Sequence, residues 1–140
     1  EQLKKRLKSD ELAGEKAELF VVKYEKKRLG VEGENKVKRI SEIDVTAGYD
    51  IVSANSPNST VADRFIEVKA VSENGFYWSK NEYDIAKLLA GDYYLYLVDL
   101  SKIDDDNYEP DIINNPVQHI MDNNLWLVEP QSYHIQKVKL

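Results

Sequence analysis

Apolar residues recur at near-helical spacing between Asp10 and Leu29, and this pattern predicts a first helix there. Leu12, Leu19, Phe20, Val22, Tyr24 and Leu29 make its stripe. Asp10 suits the N-cap and Gly30 the stop. Glu25, Lys26, Lys27 and Arg28 fall in the last turn, where cations suit the helix dipole. Gly14 weakens the helix and is expected to mark close approach of another backbone. Residues 1–9 are polar and basic, and read as a frayed helix or the tail of a linker. Gly30 to Lys36 reads as a loop.

The period then shortens to two. Val37 to Ile43 predicts a short strand, and Gly48 to Ser53 a second one after a glycine break. Asn55-Ser56-Pro57-Asn58-Ser59 is a turn cluster. Arg64 to Val71 is the clearest strand, so residues 49–71 predict a β-hairpin. Phe76 to Trp78 is expected to add a third strand. Ser79-Lys80-Asn81-Glu82 is a capping box, and the helix it opens should stop before Gly91. Tyr93 to Leu100 has the continuous apolar character of a buried strand. Residues 103–115 read as an acidic loop, Pro116 to Met121 as a short helix, and Leu125 to Val128 and Ser132 to Val138 as late strands. The order predicts a mixed α/β domain in which a hairpin feeds a crossover helix.

Composition narrows the class. The 140 residues suit one domain, here expected over 10–140, and can bury a core without staples. There is no cysteine, which excludes disulfides, thiolate metal sites and a cysteine nucleophile, and fits a reducing, cytoplasmic setting. No apolar run approaches the length of a membrane span, and the N-terminus has no signal-peptide core. The first residue is not Met, so the chain is expected to be a piece of a longer protein. The net charge is −6, which taken alone argues against a nucleic-acid partner. Its distribution is uneven: residues 1–40 hold 12 Lys/Arg against 8 Asp/Glu, and residues 41–140 hold 7 against 17. Part of that acidity fits a cation site.

The candidate chemistry lies on the hairpin. Side chains alternate along a strand, so Phe65, Glu67 and Lys69 share one face while Ile66, Val68 and Ala70 take the core face. Asp50 interrupts an apolar strand, and antiparallel pairing brings it beside Glu67. Two converging carboxylates need a counter-charge, and Mg²⁺, which prefers oxygen ligands and retains waters, supplies one. Lowering the pKa of such a water makes a nucleophile. Lys69 can orient that water and offset charge on phosphorus oxygens. The Val68 carbonyl, between the two side chains, is a natural extra ligand.

Asp50 followed by Glu67-x-Lys69 resembles the D…ExK signature of the PD-(D/E)xK restriction-endonuclease-like superfamily. Gly14-x-x-Ala17-Glu18, Gly48-Tyr49-Asp50-Ile51-x-Ser53, Arg64 to Lys69 and Asn81-Glu82-x-x-x-Ala86 resemble, in that order, the domain named after the C-terminus of the plant protein NO VEIN. The resemblance covers about residues 12–100. It implies a restriction-endonuclease-like core, a central mixed sheet flanked by helices. It implies a Mg²⁺-dependent endonuclease domain, with Mn²⁺ as a substitute, acting on DNA within a restriction or phage-defence protein. Asp50, Glu67 and Lys69 would be catalytic. Asp50, Glu67, Val68 and Glu18 would hold the metal, directly or through water, and Asn81 and Glu82 would flank the site. Tyr49 replaces the proline of the superfamily's name.

Other readings compete. A Glu/Lys pair on a strand is usually a solvated face, Asp50 could protect an edge strand, and Glu82 is already explained by the capping box. His119 and His134 have no partner at metal spacing, and the aromatic residues between Tyr77 and Tyr96 suit a core as well as base stacking. The expected partners are DNA and the other domains or subunits of a larger protein that deliver it, with a homodimer as a further expectation. An RNA-directed nuclease and a catalytically inactive interaction module are the alternatives.

Overall fold

The computed structural model describes residues 1–72 and 75–139. Helix α1 (Gln2–Gly33) leads into β1 (Lys38–Arg39), β2 (Ile51–Ser53), β3 (Arg64–Ala70), α2 (Lys80–Leu89), β4 (Tyr93–Val98) and β5 (Asp111–Asn114). The five strands form one sheet in the order β1-β2-β3-β4-β5. β3 and β4 run parallel and the other pairs antiparallel, because α2 carries the chain from the end of β3 back to the start of β4. The fold is α/β, a mixed sheet flanked by helices.

Alternation along β3 and β4 sorts two cores. Ile66 and Val68, with Tyr96 and Val98, face Ala17, Val21 and Leu29 of α1. Tyr93, Leu95 and Leu97 pack with Ala86 of α2 and Ile120 on the other side. β4 is buried on both faces, which explains its unbroken apolar run. The aromatic cluster is accordingly core at Tyr93 and Tyr96, while Tyr77 stays exposed.

Several elements differ from the sequence expectations. α1 begins at Gln2, so residues 2–9 are helix, and Asp10 lies inside it rather than capping it. Leu3 and Leu7 stand one turn apart among strong helix formers, and local propensity carries the helix through this exposed stretch. Gly30 does interrupt the helix, at φ 72°, but residues 31–33 are helical and Glu34–Lys36 form a 3₁₀ turn. The expected strand over 37–43 shrinks to Lys38–Arg39, because Ile43 and Asp44 turn back to the Ile40 carbonyl. Phe76 to Trp78 are not a strand; Phe76 and Trp78 pack on the α2-side core. The 103–115 segment is not all loop, since Asp111–Asn114 pairs with β4 as β5. The helix expected at 116–121 is a single π turn, Val117–Met121. Leu125 to Val128 and Ser132 to Val138 form no strands: Leu125, Leu127, Tyr133 and Ile135 are exposed, so no buried face holds a strand in place.

A second polar centre lies under α1. Glu25, placed by the sequence in the last turn of the helix, is fully buried. Its carboxylate accepts from Arg28 Nε at 2.9 Å and Nη2 at 2.6 Å, from Ser53 Oγ at 2.7 Å and from the Tyr96 hydroxyl at 2.8 Å. Arg28 also donates to the Ala54 and Asn55 carbonyls. These bonds lock α1 to β2 and β4.

Candidate active site

The site forms where β2 begins. Asp50 stands just before the strand, and its backbone is held from both sides. Its N–H donates to the Ile66 carbonyl at 2.8 Å, and its carbonyl accepts from the Ile40 and Ser41 N–H groups at 2.7 and 3.1 Å. The side chain is therefore fixed over β3, where Asp50 Oδ2 accepts the Val68 N–H at 2.9 Å. A strand residue's N–H and C=O leave on the same side, so the Val68 carbonyl also leaves β3 towards Asp50.

Glu67 is almost fully buried on the α2 face of β3, at 4 % exposure. Burial and the neighbouring Asp50 charge push its carboxyl well above the usual carboxylate range, against the pull of Lys69. Burial, and then the charge of Glu18, push Asp50 up to about 6, although the Val68 N–H and Lys69 oppose this. The two acids share a hydrogen bond. They are a coupled pair, Glu67 buried and Asp50 half-buried, whose surroundings favour retaining a proton. Lys69 Nζ lies 3.2 Å from Glu67 Oε2 and 2.7 Å from Glu82 Oε1. Its carboxylate neighbours outweigh its burial and raise its pKa.

An open cleft of about 370 Å³ exposes this centre, lined by Tyr49, Asp50 and Glu67 together with Thr46, Asn81 and Glu82. Asn81 Nδ2 donates to the Thr46 carbonyl at 2.9 Å and ties the cleft wall to α2. Gly48 lets that wall lie against α2: it has φ +84°, and a Cβ there would meet Ile85 Cγ1 at 2.6 Å. The Tyr93 hydroxyl donates to the Gly48 carbonyl at 2.8 Å, beneath the same wall.

Six of the seven residues singled out in the sequence thus converge: Asp50, Glu67, Val68, Lys69, Asn81 and Glu82. Glu18 comes close enough to act on the charge of Asp50 but is engaged elsewhere. Its Oε1 accepts from Arg39 Nε at 2.9 Å and from the Ser41 hydroxyl. Among the described residues no group of three or more His, Asp or Glu stands close enough to hold a metal ion. His119 Nδ1 instead lies 2.6 Å from the Asn114 carbonyl, and His134 is exposed. Sequence reasoning missed Tyr93 as a neighbour of the centre and Arg39 as the partner of Glu18. Neither carries a local signal, since both meet the site only through the sheet.

The model of the family described as protein NO VEIN, C-terminal, matches residues 17–112. The chain belongs to this family. The matched span of this NO VEIN C-terminal-type domain runs from the middle of α1 into β5 and contains every residue of the cleft named above. No curated protein and no solved structure matches the chain. No helix among the described residues is long and apolar enough to cross a membrane.

Proposed function

We propose that this NO VEIN C-terminal-type domain is a Mg²⁺-dependent endonuclease domain that hydrolyses phosphodiester bonds of DNA as part of a larger restriction or phage-defence protein. The observation that carries the reading is half-buried Asp50 and buried Glu67 lining a cleft, with Lys69 beside Glu67. Two neighbouring carboxylates that raise each other's pKa favour a counter-charge, and hard oxygen donors are what Mg²⁺ takes. Two carboxylates and the Val68 carbonyl fit an ion that keeps several waters, even without a third acid. Glu18 would join through water, or directly after leaving Arg39.

When bound, the ion supplies Lewis acidity and a water of lowered pKa. The chain's own residues do the rest. Asp50 and Glu67 would hold the ion, and the Val68 N–H fixes Asp50. Lys69 holds positive charge between Glu67 and Glu82, both of which line the cleft, and from there would stabilise charge growing on the phosphate oxygens and orient the attacking water. The net charge of −6 supports delivery of DNA by other domains or subunits rather than capture by this domain alone.

Plasmid cleavage with Mg²⁺ or Mn²⁺ tests the reading. The wild type should nick, and Asp50→Ala, Glu67→Ala and Lys69→Ala should not. Equal nicking by all four would sink it. Parallel assays on single-stranded DNA and RNA separate a DNA enzyme from an RNA enzyme.

One observation favours a second reading, a catalytically inactive module that mediates interaction. Glu18 is paired with Arg39, and no three acids gather among the described residues. Calorimetry with Mn²⁺ distinguishes the two, because an inactive module would take up none at millimolar concentration.

A further inference from the structure

The first turn of α2 faces the cleft, and one of its side chains reaches out of the helix to Lys69. Glu82 Oε1 accepts from the Ser79 N–H at 3.1 Å, and Ser79 Oγ accepts from the Glu82 N–H at 3.1 Å. These two bonds cap the helix. They do not require a third. Yet the same Oε1 accepts from Lys69 Nζ at 2.7 Å, closer than Glu67 at 3.2 Å. Lysine is a point charge on a flexible stem, and without an acceptor beyond Glu67 it would be free to fold down onto that carboxylate. The support under Glu82 is firm. Ser79 clamps its backbone, Asn81 ties the same turn to Thr46, and Ile85 one turn on seats against Gly48.

We infer that Glu82 is a positioning residue for Lys69, holding the ammonium beside Glu67 of the acid pair through the cap of α2. The inference rests on the nuclease reading of that centre. The capping box then does two things at once, since the turn that starts the helix also sets where the positive charge meets a phosphate. With Glu67 engaged by a cation, Glu82 would be the carboxylate left to hold Lys69.

The test uses the whole 140-residue chain and three variants. Glu82→Ala removes both carboxylate bonds. Glu82→Gln keeps an oxygen for the Ser79 N–H and for Lys69. Ser79→Ala removes the hydroxyl of the cap and leaves the carboxylate. The first readout is NMR of the two ε-methylene protons of Lys69 in metal-free protein, assigned by their loss in Lys69→Arg. They should be inequivalent in the wild type and in Ser79→Ala, and collapse to one signal in Glu82→Ala. The second readout is plasmid nicking with Mg²⁺. Glu82→Ala should lower kcat up to about 100-fold, the scale of a misplaced catalytic group, with KM little changed. Glu82→Gln should recover part of that loss, and Glu82→Ala should cost nothing more in a Lys69→Ala background.

Unchanged methylene signals in Glu82→Ala overturn the inference, as does additive loss in the double variant. An equal fall in kcat for Ser79→Ala would show a cap and nothing else. Loss of Mn²⁺ binding in Glu82→Gln would make Glu82 a ligand instead. If the wild type nicks no plasmid even at protein and plasmid concentrations high enough to replace delivery by other domains, the nuclease reading fails while the methylene signals still decide whether Glu82 holds Lys69.

Discussion

The carboxylate of Asp50 accepts the backbone N–H of Val68, and this bond at 2.9 Å sets Asp50 beside Glu67. The register makes it available. β2 pairs with β3 as far as Ile51 opposite Ile66, and the ladder ends there. Beyond that point the Val68 N–H has no strand on the β2 side, and the Asp50 side chain takes the place of the missing backbone acceptor. A carboxylate would ordinarily seek water; here it substitutes for a strand and is partly buried as a result. The acidic centre is thus a consequence of where the hairpin stops pairing.

That arrangement has a pH signature. In the fold Asp50 is pushed up to about 6 and Glu67 also rises, against ordinary values of 3.8 and 4.5. The folded chain therefore holds protons that the unfolded chain has released. Stability from this pair is present at acid pH and drains away as pH rises from about 4 through about 6, and further as Glu67 ionises. Without metal, urea midpoints at pH 5 and 7.5 should show wild type losing more stability over this interval than Glu67→Gln. At pH 7.5, millimolar Mn²⁺ should raise the wild-type melting temperature and leave Glu67→Gln unmoved. Parallel pH curves for the two proteins would remove the basis for a strained acid pair.

The carboxylate under α1 should behave in the opposite way, as structure rather than chemistry. Glu25 is fully buried and accepts four hydrogen bonds. Removing it leaves the Arg28 cation, the Ser53 hydroxyl and the Tyr96 hydroxyl short of a partner in the interior. Glu25→Ala should cost about 3–5 kcal/mol of unfolding free energy, the usual consequence of stripping one member from a buried ion pair. Urea denaturation measures it, and a loss below about 1 kcal/mol would mean that the network relaxes onto water.

The contrast between these two acids shows what a sequence makes legible. Glu67 and Asp50 could be read because strand alternation and hairpin pairing act over short separations and place them together. The capping box at Ser79 and Glu82 could be read for the same reason. Glu25 could not, because Ser53 and Tyr96 lie 28 and 71 residues away and only the sheet unites them. β5 was hidden by the acidic stretch before it, although Ile112 and Ile113 carry strand character. The tail fails in the other direction. Tyr133 and Ile135 alternate as a strand would, but both are exposed, and alternation makes no strand without a face to bury.

Glycine gives the last contrast, since the chain contains both a glycine the fold does not need and one it does. Gly14 lies inside α1 with nothing within 4 Å of an added Cβ, so the close approach expected there is absent. Gly14→Ala should stabilise the protein by about 0.5–1 kcal/mol through lost freedom of the unfolded chain. Gly48 has φ +84°, and its Cβ would stand 2.6 Å from Ile85 Cγ1 and 2.9 Å from Ile85 Cβ. Gly48→Ala must strain the backbone and push α2 from the cleft wall, at about 1–3 kcal/mol for each effect. Because Asp50 lies two residues on, the same change should weaken Mn²⁺ binding, whereas Gly14→Ala should not touch it. Ile85→Ala in the Gly48→Ala background relieves the clash but not the φ strain, so it should restore cation binding more fully than stability. Urea titration and Mn²⁺ calorimetry on the four proteins separate the two effects. Equal stability changes at positions 14 and 48 would show that the wall of the cleft does not depend on its contact with Ile85.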